Sequence, residues 1–302
     1  MEDMITGLCP QCGHTLHIPA ELASFSCMYC GTRLTKEQLA AEPPAAQEAD
    51  EDRAAYYDRA VSRLGWCIKN FGGYQKKIMR DVFFEAFETY ETGCAPVIQE
   101  LARGVAPERQ TQLLGRAAAA MLDELEAGWQ KKGDMEDEKI VLAIFFVPMV
   151  RKQQLPISEE FVTILQKQWV KRYPKSPFYL GDYESISGGF RKKFLGLCFI
   201  TTAVCQELGK PDDCEELTAF RAFRDGYLRS QPDGEALIRE YYNIAPGIVT
   251  CINTCSDRHA SYARIREEYL APCYQDLLAG RNESCKARYV RMVRDLEREY
   301  LS

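Results

Sequence analysis

The sequence predicts a mainly α protein: a small N-terminal zinc ribbon, a linker, and then a multi-helix body. Three observations predict it. Two Cys-x-x-Cys-Gly units stand close together near the start. Apolar residues recur at spacings of three and four through most of the remaining chain. Outside the N-terminal unit no stretch alternates apolar and polar residues as a half-buried strand would. Composition shifts put the ribbon at 1–35, the linker at 36–60, a helical middle region at 61–188 and a helical C-terminal region at 189–302. The last two regions are compatible with one continuous domain.

The ribbon comes first. Cys9 and Cys12 lie in CPQCG, and Cys27 and Cys30 lie in CMYCG. A two-residue gap lets one tight turn present both sulfurs, and four thiolates satisfy the tetrahedral preference of zinc. Gly13 and Gly31 follow the second cysteine of each pair, where a positive φ is commonly needed. His14 and His17 are the competing donors, but with four cysteines every ligand position is filled and the metal is structural. Zinc would supply folding energy that so short a unit cannot draw from its own core. Lys and Arg occur here only as Arg33 and Lys36, so the ribbon is expected to dock a protein rather than a phosphate backbone.

The linker, LTKEQLAAEPPAAQEADEDRAAYYDR, is rich in Ala, Glu and Asp and contains the pair Pro43–Pro44, with helical periodicity resuming from Tyr56. Helices follow. Val82, Phe83, Phe87 and Tyr90 form one stripe, and Leu113, Leu114, Ala117, Met121, Leu125 and Trp129 form another. Gly128, Gly133 and Asp134 predict a break before the apolar run IVLAIFFVPMV, in which Pro148 marks a kink or an end. That run is about half the length a bilayer requires, so no membrane span is expected. In ISEEFVTILQKQWVKRY, Ser158 is the predicted N-cap. YPKSPFYLGDYESISGG, with its prolines and glycines, reads as a loop and a boundary.

The whole chain bounds its function loosely. At 302 residues, 46% hydrophobic and 27% charged, it has enough apolar material for a core without disulfides. A net charge of −6 gives no global attraction to nucleic acid or an anionic membrane. The first residues, MEDMITGLCPQCGH, lack the basic and apolar regions of a secretory signal. A cytoplasmic location is therefore expected, and the 13 cysteines should be thiols or metal thiolates.

Three of those cysteines lie in CFITTAVCQELGKPDDC. Cys198 and Cys205 fall on one predicted helix, KPDD makes a turn, and Asp212 or Asp213 caps the next helix, which brings Cys214 back towards Cys205. Further on, IVTCINTCSDRHASYARIREEYL reads as one helix with Cys251, Cys255 and His259 spaced four and four along a face. Three readings stay open. The first is a second metal site drawn from Cys198, Cys205, Cys214, Cys251, Cys255 and His259. The second is a nucleophilic Cys198, its pKa lowered at a helix start, with His259 as base, in a hydrolase or transferase. The third is buried thiols acting as small hydrophobes.

CFITTAVC, then ELGKPDDCEELTAFRAFRDGYL, then GEALIREYYNIAP resembles the CFI-box C-terminal domain family of bacterial proteins, over about 189 to 250. The Cys-Phe-Ile start, Phe223-Arg224-Asp225 and the stretch Tyr241 to Pro246 carry the resemblance. It implies a bacterial origin and no particular reaction.

Within these motifs Thr201 and Thr202 are expected to bond back to their own helix carbonyls, and Arg224 and Asp225 to anchor helices. Tyr241 and Tyr242 are expected to pack with wet hydroxyls. The segment from 167 to 193 interleaves Lys171, Arg172, Lys175, Arg191, Lys192 and Lys193 with aromatic residues, as a single-stranded nucleic acid groove would, although an interdomain loop looks the same. In the last helix Tyr289, Val293, Leu296 and Tyr300 share a core or partner face. The expected function is a zinc-binding protein-interaction or scaffold module, with the cysteine-dependent enzyme as the alternative.

Overall fold

The structure is a computed structural model and describes residues 4–11, 15–39, 50–191 and 198–301. The chain divides into two compact units, Met1–Asp52 and Arg53–Ser302.

The first unit is two antiparallel hairpins. Strand β1 (Met4–Leu8) pairs with β2 (Thr15–Pro19), with Met4 opposite Pro19 and Leu8 opposite Thr15. Strand β3 (Ser24–Ser26) pairs with β4 (Arg33–Thr35), with Phe25 opposite Leu34. Each Cys-x-x-Cys falls between the strands of one hairpin. The buried side chains described here are Cys9, Leu16, Cys27 and Leu34. Half of that small core is sulfur.

The second unit is helical. In order it contains α1 (Asp50–Leu64, which starts two residues before the unit boundary), α2 (Trp66–Lys69), α3 (Phe83–Gly104), α4 (Gln110–Gly128), α5 (Lys132–Val141), α6 (Val147–Lys152), α7 (Ser158–Arg172) and α8 (Tyr183–Arg191). There follow α9 (Phe199–Glu207), α10 (Glu215–Ala222), α11 (Gly234–Cys255), α12 (Arg258–Ile265), α13 (Ala271–Leu278) and α14 (Asn282–Tyr300). One hydrophobic cluster runs from Ala60 to Leu301 and includes Phe83, Phe145, Trp169, Ile200, Cys251 and Leu296. The middle and C-terminal regions thus share one core. Its aromatic centre stacks Phe83 on Phe190 with ring centroids 4.3 Å apart and sets Phe145 beside Tyr74, Phe83, Phe87 and Tyr90.

Several local expectations are corrected. Helix α1 begins at Asp50, inside the stretch read as linker, and turns Ala60 and Leu64 into the core; residues 40–49 lie outside the described residues. Pro148 neither ends nor breaks the helical run. A π-helical stretch at Leu142–Phe146 joins α5 to α6, and its wider turn accommodates the missing N–H and the ring. A second such stretch, Arg266–Leu270, precedes Pro272 in the same way. Ser158 is not an N-cap: its hydroxyl donates to the Val150 carbonyl and accepts the Leu155 N–H, tying α7 to α6. The predicted loop before 190 closes at Asp182, whose carboxylate accepts the Ser185 N–H at 2.8 Å and starts α8.

The largest correction concerns 248–270. Helix α11 ends at Cys255, and Asp257 caps a separate helix by accepting the Ala260 N–H at 3.1 Å. Cys251 and Cys255 therefore do not share a helix face with His259.

Candidate functional site

In the N-terminal unit the two turns bring Cys9, Cys27 and Cys30 together, with their sulfurs all within 4.8 Å of one another. Among the described residues this is the group of three metal-ligating side chains that lies so close. Cys12 and His14, both named from the sequence, lie outside the described residues. His17 sits exposed on β2 opposite Thr6, outside the sulfur cluster. The second turn is built as a metal knuckle requires. Cys27 N–H donates to the Thr32 carbonyl at 2.8 Å, and Gly31, at φ +75°, donates to the Cys27 carbonyl at 2.8 Å. A side chain at position 31 would be strained there. Four sulfurs at 2.3 Å from a zinc ion stand about 3.8 Å apart along the edges of their tetrahedron. Cys9 Sγ and Cys30 Sγ are 3.7 Å apart. The donor set and the spacing fit a metal of that size, and the knuckle tip carries Met28 at 83% exposure and Tyr29 at 57%.

In the helical unit a second cluster forms around Cys198. Its three motif stretches are far apart in sequence and meet here. Cys198 occupies the N-cap position of α9 and is buried. Arg224 lies in a third π-helical stretch, Phe223–Leu228, and is also buried. Its Nη1 donates to the Tyr242 hydroxyl at 3.1 Å and approaches Cys198 Sγ at 3.7 Å, while Nε and Nη2 grip the Asp225 carboxylate at 2.8 and 2.5 Å. Tyr241 accepts the Ile200 N–H at 3.0 Å, one of the first-turn donors of α9. Thr201 shares a hydrogen bond with Tyr289 at 3.2 Å. The Tyr241 hydroxyl is therefore internal rather than wet, while Tyr242 is half-buried. Beside this cluster opens an apolar pocket of about 60 Å³, lined by Cys198, Arg224, Tyr241, Tyr289, Phe220 and Phe223.

The reading that makes Cys198 an activated nucleophile finds no support in its surroundings. Burial pushes its thiol up to about 11, and the neighbouring Arg224 and Arg221 offset that only in part. The proposed dyad is not assembled either. Cys198 stands at the start of α9, whereas His259 is 81% exposed and paired through Nδ1 with Glu207 at the other end of that helix. Nine residues at 1.5 Å each separate the two ends by about 13 Å.

The remaining cysteines also disperse. Cys205 and Cys214 face each other with sulfurs 3.9 Å apart, as the helix–turn–helix reading expected. Neither Asp212 nor Asp213 caps α10, because Cys214 holds that position and Asp212 binds Arg221. Cys251 donates to the Tyr300 carbonyl. Among the described residues these six side chains form no group of three close donors. In the basic segment Arg172 is held by Asp123 and Glu126, and Arg191 by Glu184; Lys192 and Lys193 lie outside the described residues.

Sequence reasoning missed the roles of Asn243 and Gly247, and it placed Tyr289 on a core or partner face without its link to Thr201. Asn243 accepts the Arg80 N–H through its carbonyl and the Asp81 N–H through its side chain. An asparagine and a glycine flanking a proline inside an apolar helix were the available signal. No helix among the described residues is long and apolar enough to cross a membrane. No known family, curated protein or solved structure matches this chain.

Proposed function

We propose that this is a bacterial cytoplasmic zinc protein of the CFI-box type, whose N-terminal ribbon is a docking module for another protein. The observation that carries the reading is the sulfur cluster, with a separation of 3.7 Å between thiols of two different hairpins, the edge a tetrahedral zinc site needs. Cys12 completes the ligand set. The zinc holds the two turns together and takes no part in a reaction. Thr32, whose hydroxyl lies 3.2 Å from Cys30 Sγ, can turn to donate to the metal-bound thiolate.

Docking is supported by the apolar tip. Met28 and Tyr29 project between two ligands, where zinc fixes the backbone and presents them at low entropic cost. Nucleic acid is disfavoured by the scarcity of cations in the ribbon and by the carboxylates that already hold Arg172 and Arg191. The CFI-box assignment is supported by the convergence of its three motif stretches on one hydrogen-bonded cluster.

Metal analysis of the full-length protein tests the zinc reading: about one zinc per chain is expected, with loss on Cys27→Ser. Metal-free protein that still protects the amides of residues 4–39 from exchange would sink it. A photo-crosslinking residue at position 28 should yield a discrete protein adduct in cells, and the same residue at Leu278, also exposed, should not.

A further inference from the structure

Three pairs of cysteines in the helical unit face each other, and they differ in one respect that matters chemically. Cys67 and Cys94 are fully buried, and the Cys94 thiol donates to the Cys67 carbonyl at 3.9 Å. Cys273 and Cys285 are fully buried, and the Cys273 thiol donates to the Cys285 carbonyl at 3.9 Å. The third pair, Cys205 and Cys214, has one buried and one half-buried member. Of the three pairs, only this one has a member that is not fully buried.

The turn between them is suited to closure. Gly209, at φ +67°, donates to the Gln206 carbonyl, and Lys210 donates to the Cys205 carbonyl at 2.9 Å, so the chain reverses immediately after α9. Cys214 holds the N-cap position of α10 with an extended backbone, and its side chain caps nothing. Its sulfur is therefore not committed to the helix. A disulfide requires sulfurs about 2.05 Å apart, so the observed 3.9 Å must shorten by about 2 Å for the bond to form.

We propose that Cys205 and Cys214 are a thiol–disulfide exchange site that accepts one equivalent of a low-molecular-weight disulfide, such as glutathione disulfide, and closes an intrachain bridge between α9 and α10. Cys214 Sγ loses its proton and attacks one sulfur of the reagent. The reagent's S–S bond breaks, and its first thiolate leaves and takes up that proton. Cys205 Sγ then loses its proton, attacks Cys214 Sγ in the mixed disulfide, and expels the second thiolate, which is protonated in turn. Two protein thiols are oxidised to one disulfide, and one small disulfide is reduced to two thiols. Burial and the facing Cys214 push Cys205 up to about 12, which leaves Cys214 as the attacking thiol.

The bridge bears on the Cys198 cluster. Helix α9 begins at Cys198, and α10 runs directly into the stretch that carries Arg224. Oxidation clamps together the two helices whose other ends bring that thiol and guanidinium to 3.7 Å.

The experiment uses the full-length, metal-loaded protein treated with glutathione disulfide, then alkylated, denatured and cleaved after glutamate. Cleavage at Glu207 places Cys205 and Cys214 on different peptides. The expected result is a disulfide linking those two peptides in most chains, with Cys67, Cys94, Cys273 and Cys285 alkylated only after denaturation. Cys205→Ser should stop the reaction at a glutathione adduct on Cys214, and Cys214→Ser should leave Cys205 a thiol. An unreacted Cys214, or wild-type protein that carries glutathione on Cys214 beside a free Cys205, would overturn the proposal. Glutathione on Cys205 in Cys214→Ser would overturn the assigned order of attack.

Discussion

At the scale of single residues, burial decides what the conspicuous groups do. Tyr241 is the clearest instance. Its hydroxyl accepts the Ile200 N–H, which no carbonyl of α9 can reach from the first turn. Tyr241→Phe keeps the ring packing and orphans that donor, at a cost of about 1–3 kcal/mol. Urea denaturation should show a lowered midpoint with an unchanged slope; an unchanged midpoint would mean that water replaces the hydroxyl. Cys198 shows the same control by burial over a titration. Its folded pKa of about 11 lies above the ordinary 9.0, so the folded state favours the thiol. That contribution to stability is complete below pH 9 and is lost as pH rises towards 11. Wild type should therefore lose more stability than Cys198→Ser across that window. The same burial predicts slow alkylation of Cys198 in native protein near neutral pH, and rapid labelling there would contradict this placement.

At the scale of elements, α11 is the hub of the helical unit, and the backbone at its centre explains why. Asn243 and Gly247, one turn apart, meet the segment from Ile78 to Asp81. A Cβ added at Gly247 would lie far inside van der Waals contact with the Ile78 carbonyl oxygen, and a backbone atom cannot swing aside. Gly247→Ala should lower stability by about 1–3 kcal/mol despite alanine's better helix propensity. Gly226→Ala, where an added Cβ meets nothing within 4 Å, should be neutral or slightly stabilising. Equal thermal midpoints for the two variants would refute the packing argument. Elements of this kind were legible in sequence wherever the signal is local. The stripe through Phe83, Phe87 and Tyr90 is buried as its spacing demands, and the Cys27 turn forms as its trailing glycine demands. The joints were less legible. Asp257 is a strong N-cap, yet it is hidden inside a stretch whose apolar spacing continues without a break, so His259 was placed on the wrong helix. The π-helical widening ahead of Pro148 leaves no mark on the apolar pattern either. The Cys198–Arg224 contact joins residues 26 apart in sequence through packing, which spacing alone does not encode.

At the scale of the whole molecule, two cores of very different size imply two stabilities. The helical unit gathers its apolar side chains into one cluster from Ala60 to Leu301. The N-terminal unit buries Cys9, Leu16, Cys27 and Leu34 among its described residues, with Ile18, Phe25 and Leu39 packed against them. Two buried leucines are far too few to hold so long a segment in order by themselves. On the zinc reading, metal binding supplies the larger part of what this small core lacks. Removal of the metal by a strong chelator under reducing conditions should therefore abolish amide-exchange protection over residues 4–39 while leaving the helical circular-dichroism signal nearly unchanged. Zinc should restore protection, and magnesium, which prefers oxygen ligands, should not. Simultaneous loss of both signals would mean that the two cores are not energetically separate, and protection that survives chelation would mean that sulfur packing alone holds the hairpins together.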